Sequence, residues 1–230
     1  MPFKYVTPDL NAAGKLVRLN AKASTQFAKG QACKLVDGIL NPLSGQTDLC
    51  THIFQWMDTP RQALRPATAN LTTVADEISE AIPCAGNGLE FESPLIVDAA
   101  PPISNLTANA GGADTTTSVS ITYNGTTGAN DFQNGVIYFV ERDTYAHITG
   151  SAYAGGIHTL TIEPPLATAP TTADHVYVVP FDVGSKPKFG ATLPKEYISS
   201  AVADKSGGNV IVTKVDLKRL FVRLKFVDAP

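Results

Sequence analysis

The chain has 230 residues, 43% of them hydrophobic, which is enough to bury a core in one large or two small domains and excludes a disordered protein. Its 18 glycines and 16 prolines favour short strands and many turns over long helices, so we expect an all-β protein. The net charge of −3 is unevenly spread: residues 101–185 carry Arg142 as their single basic side chain against seven carboxylates, and half of all Lys and Arg lie in the last 45 residues.

The first 25 residues are predicted to form an extended arm followed by a first strand. Phe3, Tyr5, Pro8 and Leu10 lie in a stretch that prolines interrupt, and residues 16–19 have strand composition. The start of the chain lacks the apolar segment of a signal peptide, and the sequence has no run of about 18 apolar residues. We therefore expect a protein that is made in a cytoplasm, remains soluble and has no membrane partner.

Residues 27–42 contain the strongest local signal in the chain. Two short alternating runs are joined by Asp37-Gly38. Because a type I′ turn needs positive φ at both central residues, Asp-Gly between alternating segments predicts a tight β-hairpin.

Further strand signals follow up to the first domain boundary. Residues 51–57 and 71–74 are rich in β-branched and aromatic side chains. Residues 75–83 are ambiguous, because the spacing of their isoleucines suits a helical face whereas their length and final proline suit a strand. Residues 88–94 alternate cleanly, with two glutamates on one face. The paired prolines at 101–102 then predict a linker.

Beyond the linker, the chain predicts a second set of short strands and a strong closing strand. The alternating segments are residues 118–123, 135–140, 145–148, 157–162 and 175–179. Strands at this spacing favour a sandwich or a barrel. The last segments, 208–215 and 220–227, alternate basic with apolar residues rather than forming a basic block, so we expect no nucleic-acid partner.

These signals predict an all-β protein with an inserted domain. Residues 1–25 form the N-terminal arm and first strand, and residues 26–102 together with 201–230 form a small β-barrel or sandwich core domain. Residues 103–200 form a second, sandwich-like β-domain inserted between the two parts of the first. The hypothesis depends on the closing strand, which must pack somewhere and is expected to complete the first domain.

The three cysteines, Cys33, Cys50 and Cys84, do not imply a disulfide framework, because they are odd in number and far apart. Three buried apolar side chains are the simplest interpretation. A pair such as Cys33 with Cys84 stays open.

A search for catalytic motifs predicts no enzyme, no cofactor and no metal. The sequence has no Gly-x-Ser-x-Gly, His-Glu-x-x-His, phosphate-binding or dinucleotide-binding motif. Two kinds of site remain as alternatives to a purely structural role for these side chains. One is a metal site of two histidines and a carboxylate, and the other is a glycosidase-like carboxylate pair. Their candidates are His147 and His158 with Asp143 or Glu163 for the metal, and Glu90 with Glu92 or Glu141 with Asp143 for the pair.

The arm, residues 27–31, the Asp37-Gly38 turn and Leu89-Glu90-Phe91-Glu92 together resemble the head decoration, or capsid cement, proteins of tailed bacteriophages. The resemblance covers roughly residues 15–100 and the closing strand, and residues 132–166 resemble an extra domain of larger members. It implies a structural virion protein that binds the outer surface of the capsid, with the major capsid protein as partner. It also implies homotrimers at local three-fold positions that strengthen the shell.

The extended arm offers a way to make such a contact, because an extended segment can add a strand to a neighbour's sheet. The candidate capsid-contact residues are Phe3, Tyr5, Pro8 and Leu10. The alternative is that they cover an edge of the protein's own barrel. A different function also stays open, that of a carbohydrate- or receptor-binding module of a phage tail or fibre. It would use exposed aromatic side chains, for which the candidates are Tyr123, Tyr138, Tyr145 and Tyr153.

Overall fold

The computed structural model describes residues 4–5, 16–28, 30–57, 71–72, 78–84, 89–96, 106–107, 114–123, 125–191 and 198–227. Over these residues the prediction of an all-β protein is confirmed, since they contain 18 strands, one short 3-10 helix at Val202–Asp204 and no α-helix. No helix in the described ranges has the length and apolar character that a membrane crossing would require.

In chain order the strands are β1 Lys4–Tyr5, β2 Val17–Asn20, β3 Gln26–Phe27, β4 Ala32–Val36, β5 Ile39–Pro42, β6 His52–Met57, β7 Leu71–Thr72, β8 Ile78–Pro83, β9 Phe91–Ile96, β10 Leu106–Thr107, β11 Ser118–Thr122, β12 Gly135–Phe139, β13 Thr144–Ala154, β14 Ile157–Glu163, β15 His175–Val179, β16 Ile198–Ser199, β17 Val210–Asp216 and β18 Phe221–Phe226. They form three sheets of five or six strands, and β3 with β7 forms a separate two-stranded pair.

The first of the three sheets closes into a small barrel, here named the N-terminal barrel. Its strand order is β2-β8-β6-β4-β5. The two outer strands meet, because Ala21 bridges Leu40 and the Lys22 backbone N–H donates to the Leu40 carbonyl at 3.0 Å. Six buried side chains fill the interior, namely Ala21, Phe27, Cys33, Leu40, Phe54 and Ala81.

The predicted hairpin is confirmed and joins β4 to β5 within this barrel. Asp37 and Gly38 both have positive φ, 52° and 77°, as a type I′ turn requires. Val36 therefore pairs with Ile39 directly across the turn.

The second sheet, here named the module, contains only strands from residues 106–179. Its order is β10-β15-β12-β13-β14-β11, and every pairing is antiparallel. The edge strands β10 and β11 approach each other, so the sheet curls into a half-barrel. A bulge between Ile148 and Gly150 adds to the bend of β13. Buried aliphatic and aromatic side chains fill the inside, among them Val119, Ile121, Phe132, Ile137, Phe139, Leu160 and Val178.

The third sheet, here named the central sheet, joins strands from both sides of the module. Its order is β1-β9-β18-β17, and β16 pairs in parallel with β9. The closing strand β18 pairs with β9 antiparallel, with Arg223 opposite Glu92. The closing strand therefore lies beside a strand from the first hundred residues. The domain boundaries themselves stay a prediction.

One large cluster, here named the main core, connects all three sheets. The central sheet contributes Phe91, Val222 and Leu224, and the N-terminal barrel contributes Ala32 and Ile53. The module contributes side chains from β12, which is buried along its whole length. Fully burying a Val, Leu, Ile or Phe side chain is worth about 1.5–3 kcal/mol, so this shared core joins the three sheets into one body.

Candidate functional site

The four arm residues predicted to contact a capsid lie largely outside the described part of the chain. Phe3, Pro8 and Leu10 are not among the described residues. Tyr5 lies in β1, where its backbone pairs with Phe91 at the edge of the central sheet. The described part of the arm thus lies on the protein's own sheet, and contact of these four residues with a capsid stays a prediction.

A second candidate surface, made of exposed aliphatic side chains, lies at one end of the N-terminal barrel. Four aliphatic side chains there are each 39–44% exposed, and together they are named the hairpin patch: Leu35, Val36, Ile39 and Ile78. Scattered exposed apolar side chains are normal on a soluble protein, whereas several at one place indicate an interaction site.

Strand register brings Val36, Ile39 and Ile78 to the same level of the barrel, whereas Leu35 pairs with the buried Leu40 and so lies on the other face of the hairpin tip. The turn places Val36 opposite Ile39. The bridge from Ala21 to Leu40 places Asn20 at the level of Ile39, and Ile78 is the strand partner of Asn20. The tight turn and the closed barrel therefore bring one end of β8 to the same level as the hairpin tip.

A shallow cavity of about 350 Å³ lies beside the hairpin patch. One wall is the hairpin, from Val36 to Asn41, and the other is the segment 20–23. Its lining combines the polar side chains of Lys22, Asp37 and Asn41 with the aliphatic side chains of Val36 and Ile39. An apolar centre with a polar rim is the arrangement that protein–protein contact surfaces use.

Sequence reasoning found the hairpin but missed the patch. A half-buried strand alternates apolar with polar residues, yet Leu35-Val36 and Ile39-Leu40 on either side of the turn are apolar without alternation. This local loss of alternation is the signal that could have revealed an apolar hairpin tip.

The four tyrosines proposed for carbohydrate binding do not form a single platform. Tyr138 is buried in the main core, and its ring centroid lies 4.6 Å from that of Tyr145. Tyr123 and Tyr153 pack elsewhere, each near the buried His158, with centroid distances of 6.2 and 4.8 Å. Only Tyr145 combines substantial exposure, 36%, with a position at a cavity.

The carboxylates considered as a glycosidase pair form ion pairs with neighbouring strands and turns. Each lies within 4.0 Å of a cationic or imidazole side chain: Glu90 with Lys225, Glu92 with Arg223, Glu141 with His175, and Asp143 with Lys218. Hydrogen bonds from the backbone and side chain of His175 lower the pKa of Glu141, whereas a general acid needs a raised pKa. These carboxylates therefore have the surroundings of surface ion pairs.

The two histidines considered for a metal site are held apart by strand register. Strands β13 and β14 do pair, but His147 lies opposite Glu163 and His158 lies opposite Tyr153. His147 contacts Asp182 at 2.5 Å, while His158 is fully buried with its Nε2 3.0 Å from the Thr126 carbonyl. Within the described ranges, no three His, Cys, Asp or Glu side chains are grouped so that they could hold a metal ion.

The hairpin patch is therefore the described surface whose geometry best fits a partner. It lies at one end of the N-terminal barrel, its exposed side chains are aliphatic, and the cavity beside it is lined by charges of both signs at Lys22 and Asp37. Comparisons of the chain with family models, with curated proteins and with solved structures found no match.

Proposed function

We propose that the protein is a structural virion protein that binds the outer surface of a bacteriophage capsid and stabilises the shell. The observation that carries this proposal is the hairpin patch, whose four aliphatic side chains are exposed at one end of the N-terminal barrel. Burial of apolar surface against a partner favours binding by roughly 25 cal/mol per Å² before the entropy cost of association is subtracted. The resemblance of the hairpin region to head decoration proteins supplies the kind of partner, the major capsid protein.

The way the three sheets interlock supports the stabilising part of the proposal. A protein that holds a shell together must transmit load without unfolding. The main core takes side chains from all three sheets, so none of them is attached by a linker alone. Assembly as homotrimers and a second contact through Phe3, Tyr5, Pro8 and Leu10 are part of the same proposal.

Co-sedimentation with undecorated phage heads tests the proposal. The wild-type protein should bind heads saturably over a range of salt concentrations. Substitution Ile39→Glu should weaken binding at least tenfold, because a charge buried at an apolar contact costs more than the roughly 1.4 kcal/mol that tenfold represents. Val140→Glu is the matched control, since Val140 is similarly exposed at 37% but lies in the module.

Two results would contradict the proposal. One is failure of the wild-type protein to sediment with heads at any salt concentration. The other is a heat challenge in which decorated heads lose their DNA at the same temperature as undecorated heads. Equal binding by Ile39→Glu and Val140→Glu would contradict the hairpin patch as the contact surface, but it would not contradict capsid binding itself.

One observation favours a second candidate, a carbohydrate-binding module of a tail or fibre. Tyr145 lies at a cavity of about 240 Å³ between the module and the central sheet, together with His147 and Asp182. An aromatic ring beside imidazole and carboxylate groups can stack on a sugar and bind its hydroxyls. Glycan-array binding that Tyr145→Ala abolishes would support this candidate over the capsid proposal.

A further inference from the structure

Cys50 and Cys84 meet in the main core. Cys50 lies shortly before β6 and Cys84 directly after β8, and these strands pair with His52 opposite Pro83. The Cys84 backbone N–H donates to the Thr51 carbonyl at 2.9 Å, which extends the pairing past the strand ends. Both thiols are buried, and their sulfur atoms are 3.4 Å apart.

This separation is short enough for a covalent bond after a small side-chain movement. The S–S bond of a disulfide is about 2.05 Å, so the two sulfurs need to approach by a little over 1 Å. Neighbouring backbone atoms are already tied by the hydrogen bond between Cys84 and Thr51.

Cys33 is the competing partner, and its surroundings differ. Its side chain lies in the interior of the N-terminal barrel, where the thiol donates to the Gln31 carbonyl at 3.6 Å. Cys50 and Cys84 belong instead to the main core.

We propose that Cys50 and Cys84 form an intramolecular disulfide when the protein meets a disulfide oxidant such as oxidised glutathione. One cysteine, as its thiolate, attacks a sulfur of the oxidant and releases one glutathione thiolate. The other cysteine thiolate then attacks the resulting mixed disulfide and releases the second. The two protons lost by the cysteines protonate the two glutathiones, so the protein loses two electrons and the oxidant gains them. The inference does not depend on the proposed capsid function.

Burial controls the rate of this reaction. Burial raises the pKa of Cys84 well above its usual value, and contact with Cys50 raises it further. Little of the Cys84 thiolate is therefore present while the native fold keeps this side chain buried. Oxidised glutathione also has to reach the sulfur. The reaction therefore needs transient opening around the start of β6, and mild denaturant should accelerate it severalfold.

The cross-link should stabilise the protein once it has formed. It closes a loop whose ends are 34 residues apart, which reduces the conformational freedom of the unfolded chain. For a chain of this length, a stabilisation of the usual size for such a loop raises Tm by roughly 8–15 °C.

The test treats the full-length protein with oxidised glutathione, with and without urea below the unfolding transition, and maps disulfides by mass spectrometry of unreduced digests. We expect titratable thiols to fall from three to one, with a Cys50–Cys84 linked peptide and free Cys33. Cys33→Ser should still lose two thiols, and Cys50→Ser should lose none to an intramolecular bond.

Mapping on the wild-type chain keeps the test valid even if a variant folds poorly. A linked peptide that contains Cys33 would overturn the assignment. Three titratable thiols after prolonged oxidation in urea would overturn it as well. A Cys50–Cys84 cross-linked protein whose Tm is unchanged or lower would overturn the predicted stabilisation.

Discussion

Val136 and Ile137 are adjacent in β12, but their side chains lie in two different hydrophobic cores. Ile137 packs inside the module, whereas Val136 packs in the main core with the central sheet. Alternate residues of a strand point to opposite faces, so one strand can serve as a wall between two cores. The module therefore shares its wall with the rest of the protein.

This shared wall predicts a single cooperative unfolding transition. Ile137→Ala should lower the free energy of unfolding by about 2–5 kcal/mol, and the smaller Val136→Ala by about 2 kcal/mol, through lost burial and the cavities left behind. Calorimetry should show both variants shifting the same transition to lower temperature. Two separable transitions, each moved by one variant only, would show that the module unfolds independently.

A side chain added in the hairpin turn should destabilise the protein through backbone conformation and not through a steric clash. Gly38 has a φ of 77°, and a Cβ built there meets no atom within 4 Å. Gly38→Ala should therefore cost only the left-handed conformation, about 1–2 kcal/mol. Asp37→Asn is the control, because asparagine tolerates the φ of 52° at that position and should leave stability nearly unchanged. Urea unfolding of both variants measures the difference.

Arg142, the single basic residue of 101–185, fixes a loop of the module. Its guanidinium donates to both carboxylate oxygens of Asp174 at 2.7 and 2.8 Å and to the Thr168 carbonyl at 2.8 Å. Arg142→Met would leave a buried carboxylate without its cation and should cost about 3 kcal/mol. Arg142→Lys keeps the charge but loses the two-pronged geometry, so we expect a smaller loss in the same urea experiment. A loss of equal size in the two variants would contradict this.

The same pair predicts an acid-dependent contribution to stability. Hydrogen bonds from Arg142 lower the pKa of Asp174 to about 2, below the value of about 3.9 expected in the unfolded chain. A lowered pKa stabilises the folded state above pH 4, and this stabilisation is lost as the pH falls from about 4 to about 2. The Tm difference between wild type and Asp174→Asn should therefore shrink across that range. A difference that stays constant down to pH 2 would contradict the role of this carboxylate.

Local chemistry made much of the fold predictable. The Asp37-Gly38 turn and the alternating segments of the module are short-range signals, and the structure contains both. The ambiguous segment 75–83 needed tertiary information, because its strand β8 is fixed by pairing with β2 on one side and β6 on the other. The exposure of the hairpin patch also depends on which segments pack against it. An apolar residue such as Ile39 looks the same in sequence whether or not a distant segment covers it.

The contact between Tyr138 and Asp143, at the border of the module and the central sheet, predicts that Tyr138 has a raised pKa. The Tyr138 hydroxyl donates to the Asp143 carboxylate at 2.8 Å, and this hydrogen bond, with the nearby negative charge, raises the pKa of Tyr138 to about 12. Asp143→Asn removes the charge, so the Tyr138 pKa should move back toward the usual 10. Carbon NMR of ring-labelled tyrosine, assigned with Tyr138→Phe, can follow the change while circular dichroism confirms that the protein stays folded.

A second variant, Lys218→Ala, separates the effect of the hydrogen bond from the effect of the negative charge. Lys218 pairs with the same carboxylate at 2.7 Å, and its removal leaves the hydrogen bond from Tyr138 in place. Without that cation, the full charge of Asp143 acts on the phenol, and the Tyr138 pKa should rise further. A Tyr138 that titrates with the exposed tyrosines in wild type would contradict the role given to Asp143.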